Sequence, residues 1–395
     1  MNRPIGSIAV VSAVVLGIAC TNQPQASNSF SASSSRGIAS TQSQQDRVML
    51  GRAVVVSSGC GDCHGGTYPA GKGWLAGAET EADTFLVDGF KVYAANLTSD
   101  SVTGVGRYTD RQIFNALRYG LRPSATPDVE ISSSVPGQGN FPANPDYLAP
   151  AMPWLAWRHK TDEELWAIAA YLKNGVKPVS RQTPKTQSPP DHWAKTFSDP
   201  KYAYPAAAYP TANETGVSTP QVLRGRQVLL AHACAECHGG SSNPALAGYL
   251  AGVKNPAKDE FQIGPFRTRP RNLTPDNTTG IGRFTERQIF NALRYGLRPG
   301  ETPDVDITSS TPGQGNFPAR PKYLAPPMPW ITWRHMSDDD LRAIAAYLKQ
   351  GVKPVSNRVA DSEGPPDFWA STYTVDKIGP YPSPPFPTAN EKGSK

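Results

Sequence analysis

The chain has 395 residues, of which 38% are hydrophobic and 18% charged, with 39 prolines, 35 glycines and a formal net charge of +6. That length allows two domains. The basic balance comes without a Lys/Arg run, a base-stacking motif or a nucleotide-binding glycine fingerprint, which leaves nucleic-acid and dinucleotide binding unsupported.

At the N-terminus Arg3 supplies one positive charge, and Ile8 to Ala19 is an apolar run broken only by Ser12 and Gly17. The run is too short to span a bilayer comfortably and suits an export signal over residues 1–19. It ends in Leu16-Gly17-Ile18-Ala19-Cys20, a permissive lipobox that predicts a diacylated Cys20 anchored in a membrane and facing the periplasm. Ordinary cleavage nearby, discarding Cys20 or leaving it free, is the alternative. Residues 20–45 are rich in Ser and Gln with a single charge, so they cannot bury enough surface to offset ordering and read as a disordered tether. No later stretch is apolar enough to cross a membrane, so any anchoring rests on Cys20.

Residues 46–58 predict a helix leading into Cys60-Gly61-Asp62-Cys63-His64, and 220–232 predict its counterpart before Cys234-Ala235-Glu236-Cys237-His238. Two thiols on one short turn can add across the vinyl groups of a single porphyrin, and the adjacent histidine then lies beneath the iron. A zinc or redox Cys-x-x-Cys is the competing reading. Two occurrences at matching places in an internal repeat favour haem. The expectation is two covalently bound haem c groups, attached at Cys60/Cys63 and Cys234/Cys237, with His64 and His238 on the irons. Four of the five cysteines are then used, and none is left for structural disulfides.

A second helix is expected from Thr109 or Thr285 to Gly120 or Gly296, with a Thr-x-x-Gln capping box. A third runs from Thr161 or Ser337 to Gly175 or Gly351, with Leu165, Ile168, Ala169 and Leu172 at helical spacing and Leu341, Ile344, Ala345 and Leu348 repeating them. Residues 107–180 return as 283–356. A period of roughly 175 residues is a duplicated domain rather than a solenoid repeat. The expected domains are 46–200 and 215–380, joined by a Pro-rich linker around 181–219. The echo of YPTAN in that linker by FPTAN after Tyr381 predicts tails that pack against their own domains.

The sixth ligand separates an electron carrier from a haem enzyme. Only five methionines exist, and Met152 and Met328 occupy corresponding Met-Pro-Trp strings. A thioether raises the reduction potential relative to a second histidine and closes the iron to oxygen or peroxide. Core packing of these methionines on aromatics is the alternative, and that simpler role is expected for Met49 and Met336. His159 and His335 also recur, but before a helix cap, where a local role is favoured over ligation. His192 aligns with Phe368, and His232 has no histidine counterpart, so neither is a shared ligand.

The segment Asn272-Leu-Thr-Pro-Asp, the amphipathic helix after it, the Met-Pro-Trp and a closing Ala-x-x-Ala-Tyr-Leu helix resemble class I cytochrome c domains. More narrowly, the chain resembles the cytochrome c subunits of bacterial membrane-bound alcohol, aldehyde and gluconate dehydrogenases. The resemblance implies a mainly α fold of two tandem class I cytochrome c domains with long Pro/Gly-rich loops, preceded by the tether. It implies the axial pairs His64/Met152 and His238/Met328. It also implies a crossing of the first and last helices that brings Gly51 near Tyr171 and Gly225 near Tyr347. Those subunits usually carry three haems, whereas this chain has two motifs.

Arg267, Arg269 and Arg271 precede Asn272, where the first half has Lys91 and Ala95; a propionate contact, a docking patch and a solvated loop are all open for them. Loops 123–150 and 299–326 share the string PGQGNFPA, which reads as a cover over the haem edge, a docking surface or a structural lid. The expected function is single-electron relay between a redox protein donor and an acceptor, such as a dehydrogenase, another cytochrome or an oxidase, with no catalysis of its own. A dihaem peroxidase-like enzyme and a fixed subunit of a larger oxidoreductase complex are the alternatives.

Overall fold

The computed structural model describes residues 43–188, 192–199, 202, 204–254, 260–364 and 366–393. The expected export signal, Cys20 and the expected tether as far as residue 42 lie outside the described residues. The described chain is mainly helical, with two short hairpins.

Helix α1 (Gln44–Ser57) starts two residues before the expected boundary. Ser43 caps it: the Ser43 hydroxyl accepts from the Asp46 N–H and the Asp46 carboxylate accepts from the Ser43 N–H. Helix α2 (Cys60–His64) follows, then a hairpin of β1 (Thr84–Val87) and β2 (Phe90–Tyr93), with Thr84 opposite Tyr93. Helix α3 (Asp110–Tyr119) has the expected capping box from Thr109 and Gln112 and stops at Gly120, whose φ of 68° is the left-handed conformation glycine tolerates. Helices α4 (Trp154–Trp157) and α5 (Asp162–Ala170) complete the core of this half, α5 widening into a π-helical turn over Tyr171–Gly175. Helix α6 (His192–Phe197) buries Trp193 against Val92, Tyr147 and Trp154.

The second half repeats this order. Helices α7 (Pro220–Ala231) and α8 (Cys234–His238) precede a hairpin of β3 (Phe261–Ile263) and β4 (Phe266–Thr268). Then come α9 (Glu286–Tyr295), α10 (Trp330–Trp333), α11 (Asp338–Ala346) with its π-helical turn Tyr347–Gly351, and α12 (Val375–Ile378). Each half has its own core, built on Val55, Leu165, Ile168 and Tyr171 in the first and on Leu229, Leu341, Ile344 and Tyr347 in the second.

Helices α1 and α5 cross at Gly51, where an added Cβ would lie 1.8 Å from the Ala167 carbonyl oxygen and 2.8 Å from Tyr171 Cβ. Gly225 meets Ala343 and Tyr347 at 1.9 and 2.8 Å. Each glycine costs about 1 kcal/mol of helix propensity relative to alanine, and the backbone approach it permits explains its presence mid-helix.

The tails depart from expectation. Residues 181–188 and α6 stay on the first half, as the bond from Gln187 N–H to the Lys91 carbonyl and the packing of Trp193 with Val92 and Trp154 show. Past Tyr204, which receives a hydrogen bond from Arg118 at 3.0 Å, the linker crosses to the second half. There Glu214 is buried, accepts from Arg226 Nε at 2.6 Å and from the Tyr347 hydroxyl at 2.5 Å, and pairs as a β-bridge with Val352. Residues 381–393 make the opposite journey. Tyr381 packs on Arg294, Arg334 and His335 of the second half. Glu391 is buried in the first half, taking Arg52 Nε at 2.6 Å and the Tyr171 hydroxyl at 2.5 Å, and bridging Val176. The physical reason is a missing partner. Arg226 finds its glutamate twelve residues upstream, whereas the corresponding position before Arg52 is Ser40.

Further contacts join the halves directly. Arg224 of α7 bonds Asp340 of its own half at 2.7 Å and Glu164 of the other at 2.8 Å. Glu164 bonds Arg224 through Oε1 and still returns the Thr161 cap through Oε2, whereas Asp340 makes no return bond to Ser337. Thr332 donates to Asp62 at 3.1 Å, bringing α10 against the first Cys-x-x-Cys-His helix.

Two outcomes follow. Gly51→Ala forces the helices apart and is expected to cost about 3 kcal/mol or more, read as a lower denaturation midpoint; an unchanged midpoint contradicts the crossing. His159 and His335 are half-buried beside Tyr204 and Tyr381, and desolvation with nearby arginines lowers each imidazole to a pKa of about 3. They stay neutral in the fold while the unfolded chain binds protons below pH about 6.5. Stability is therefore full above that pH and falls as pH drops toward 3. His159→Gln should flatten the stability-versus-pH slope between pH 6 and 4 by up to about 1.4 kcal/mol per unit; an unchanged slope counts against a half-buried neutral ring.

Candidate haem sites

Each Cys-x-x-Cys-His string is a single helical turn set at an angle to the helix before it. The bend falls at Gly59, with φ 67°, and at Ala233, with φ 54°, both left-handed. The helical turn then places the first cysteine, the second three residues on and the histidine four on along one face. Cys60 is buried and Cys63 exposed; Cys234 is half-buried and Cys237 exposed. Gly66 lets the following loop fold back, since a Cβ there would lie 2.5 Å from Trp74 Cα. Trp74 in turn lies against Gly61 within the motif, where a Cβ would meet its ring at 2.2 Å.

His64 is 7% exposed, and its Nδ1 lies 2.6 Å from the Ala95 carbonyl oxygen. His238 Nδ1 lies 2.7 Å from the Arg271 carbonyl oxygen. A carbonyl can only accept, so Nδ1 carries the proton in both rings and Nε2 is left with the lone pair that binds a metal. Burial lowers the pKa of both imidazoles against the opposing pull of that carbonyl, which keeps them neutral and ligand-competent. The carbonyls are held by the next residue. Asn96 Nδ2 donates to the Val179 carbonyl at 2.8 Å, and Asn272 Nδ2 to that of Val355 at 2.8 Å. Asn-Leu-Thr thus fixes the histidine's orienting group, a role that no side chain at 95 or 271 could announce in the sequence.

Within the polypeptide alone the thiols lack the stabilised thiolate of a redox Cys-x-x-Cys. Burial pushes Cys60 and Cys234 up to about 12 and raises Cys63 and Cys237. Redox cysteines instead rely on stabilised thiolates. Among the described residues, no three His, Cys, Asp or Glu side chains converge as a metal-holding group.

Met152 and Met328 are half-buried. Met152 packs on the core that contains Cys60, and Met328 on the core against which Cys234 packs. Trp154 stacks on Tyr147 at 5.9 Å and closes over Gly120, where a Cβ would lie 2.1 Å from the indole; Trp330, Tyr323 and Gly296 repeat the arrangement. Each half also buries an arginine nitrogen, Nη2 of Arg122 and of Arg298, with no hydrogen-bond partner among the described residues. Arg122 pairs through Nε with Asp146 at 2.9 Å, so the open Nη2 donors of Arg122 and Arg298 fit a further acceptor, as a haem propionate would be.

The Pro/Gly-rich loops are tied down from the helix beside them. Tyr119 donates to the Ile131 carbonyl at 2.6 Å and Tyr295 to that of Ile307 at 2.7 Å, while Phe141 and Phe317 are buried beneath. The extra arginines of the second half are matched within the chain: Arg267 and Arg269 pair with Glu260, Arg269 also with Glu363, and Arg271 with Asp361. It is the Arg271 backbone, not its guanidinium, that serves the histidine. His159 and His335 are engaged by Tyr204 and Tyr381, and His232 by the carbonyl of Val228.

No family model matches the chain. It is similar to the gluconate 2-dehydrogenase cytochrome c subunit of Pantoea cypripedii, 28% identical over 68% of this chain and 53% of that protein. It is similar to the cytochrome c subunit of the quinone alcohol dehydrogenase of Gluconobacter oxydans, 26% identical over 76% of this chain and 54% of that protein. The chain thus spans about half the length of these two relatives. A "diheme cytochrome c-type" protein of Cereibacter sphaeroides is 25% identical over 76% of this chain and 84% of its own length. Paired Cys-x-x-Cys-His helices, oriented histidines and these relatives agree: the chain resembles the cytochrome c subunits of bacterial dehydrogenases and a dihaem cytochrome c.

Proposed function

We propose that the chain is a periplasmic, lipid-anchored dihaem c-type cytochrome that passes single electrons from a dehydrogenase or another respiratory donor to a downstream acceptor. The observation that carries this reading is the repeated pair of Cys-x-x-Cys-His turns, each histidine held by a backbone carbonyl through Nδ1. In this reading residues 46–200 and 215–380 are class I cytochrome c domains. Residues 381–393 add Glu391 to the first, and linker residues 211–214 add Glu214 to the second.

When bound, each haem supplies an iron that cycles between ferric and ferrous states. The polypeptide does the rest. Cys60/Cys63 and Cys234/Cys237 hold the two groups as thioethers. His64 with Met152, and His238 with Met328, would bind the two irons. Arg122 and Arg298 offer their unpaired nitrogens to propionates. Two methionine-closed sites favour relay over catalysis, since neither offers an open position to a substrate. Relatives named as dehydrogenase subunits favour a docked position in such a complex as the form the relay takes. Cys20, as a diacylated N-terminus, would hold the protein to the membrane, with the Ser/Gln-rich segment as its tether.

Two measurements test this. In the purified holoprotein, Met152→Ala should make one of two haems bind carbon monoxide while the parent protein binds none; carbon monoxide binding by the parent overturns the closed-site reading. Cys20→Ala should move the protein from the membrane to the soluble periplasmic fraction and remove the acyl mass from its N-terminal peptide. Retention at the membrane with an unchanged mass contradicts the anchor.

A further inference from the structure

The two halves are built alike, yet the glutamate that completes each comes from a different place. In the second half it is Glu214, just upstream of α7; in the first it is Glu391, delivered by a segment that leaves the second half at Tyr381. The string Pro-Thr-Ala-Asn-Glu occurs at 210–214 and again at 387–391, and its bonds repeat as well. Asn213 Nδ2 donates to the Pro244 carbonyl at 2.7 Å, and Asn390 Nδ2 to that of Pro69 at 2.9 Å. Lys353 N–H bonds the Asn213 carbonyl at 2.9 Å, and Lys177 N–H that of Asn390 at 2.9 Å.

Glu391 stands at the centre of a buried chain of hydrogen bonds. Arg52 of α1 donates to it through Nε at 2.6 Å and Nη2 at 3.2 Å. Tyr171, at the end of α5, donates its hydroxyl at 2.5 Å and accepts from Trp74 Nε1 at 3.1 Å. Trp74 lies on Gly61 of the haem motif, and its loop returns Gly77 N–H to the His64 carbonyl at 2.8 Å. The Glu391 side chain is fully enclosed and that of Arg52 is 10% exposed, so the pair is little screened by solvent. One carboxylate therefore joins the helix before the first motif, the helix crossing it and the loop folded over it.

We propose that residues 381–393, crossing from the second half, are a working part of the first haem site, with Glu391 as its positioning residue. The inference rests on the haem reading above. The first haem then senses the seating of a segment anchored on the second half, while the second haem depends on Glu214 in the same way. Glu391→Gln keeps the shape and removes one buried negative charge, which disfavours ferric relative to ferrous iron at the nearby haem.

The test is a potentiometric titration of the full-length holoprotein, the haems told apart by the upfield methionine signals of their ferrous forms and assigned with Met152→Ala. Glu391→Gln should raise the midpoint of the first haem and leave the second unchanged, and Glu214→Gln should do the reverse. Tyr171→Phe, which leaves the Arg52–Glu391 pair in place, should move the first midpoint by a smaller amount and so guards against misfolding of the charge variant. Midpoints that do not move, or that move together in every variant, overturn the proposal. A pyridine haemochrome assay of the parent protein separates this failure from that of the haem reading: a parent without two covalent haems overturns both.

Discussion

The close crossing of the first and last helices of each half is the constraint on which the other features depend. At Gly51 and Gly225 one helix rests on the backbone of another, with no room for a single methyl group. That contact fixes the direction in which α1 and α7 deliver the Cys-x-x-Cys-His turns, and so where the thiols and the imidazole point. It also brings Arg52 beside Tyr171 and Arg226 beside Tyr347, creating in each half a buried cation and a buried phenol. A buried cation left alone is strongly destabilising, and Glu391 and Glu214 answer that need. The straps between the halves follow from the crossing.

Much of this was legible in the sequence. The haem motifs, the helix caps at Thr109, Thr161 and Thr285, and the stops at Gly120 and Gly296 have local causes within a few residues, and the structure places them where the chain chemistry predicts. The glycine crossing was implied by the family resemblance and is present. What escaped has a common character: it is either backbone or distant. The carbonyls of Ala95 and Arg271 orient the histidines, and any residue type carries a carbonyl. Glu391 pairs with Arg52 from 339 residues away. Its signal was present in the second Pro-Thr-Ala-Asn-Glu string, but the echo pointed to a tail on its own half, because sequence repetition shows likeness and not destination. For the three arginines before Asn272 the sequence left a propionate contact, a docking patch and a solvated loop open, while the acids that match them stand at Glu260, Asp361 and Glu363.

Duplication with exchanged straps has a consequence for electron relay. Two sites in one chain exchange electrons at a rate set by their separation and orientation, so a fixed relation between the halves is worth stabilising. Here the relation is held by Arg224 between Glu164 and Asp340, by the contact of Thr332 with Asp62, and by two segments that each begin on one half and end on the other. Each segment is anchored by an aromatic cluster at one end and a buried glutamate at the other. Loosening either half would then be felt in both.

The proposed relay requires two histidine–methionine haems closed to exogenous ligands. The near-infrared spectrum of the purified ferric holoprotein, scaled to its haem content, tests this most directly through the methionine-to-iron charge-transfer band. Relay through closed sites requires a band worth two haems that peroxide leaves unchanged, and a reduced spectrum that carbon monoxide leaves unchanged. A band worth one haem, or a high-spin haem that takes up either ligand, would contradict it and move the protein from relay to catalysis.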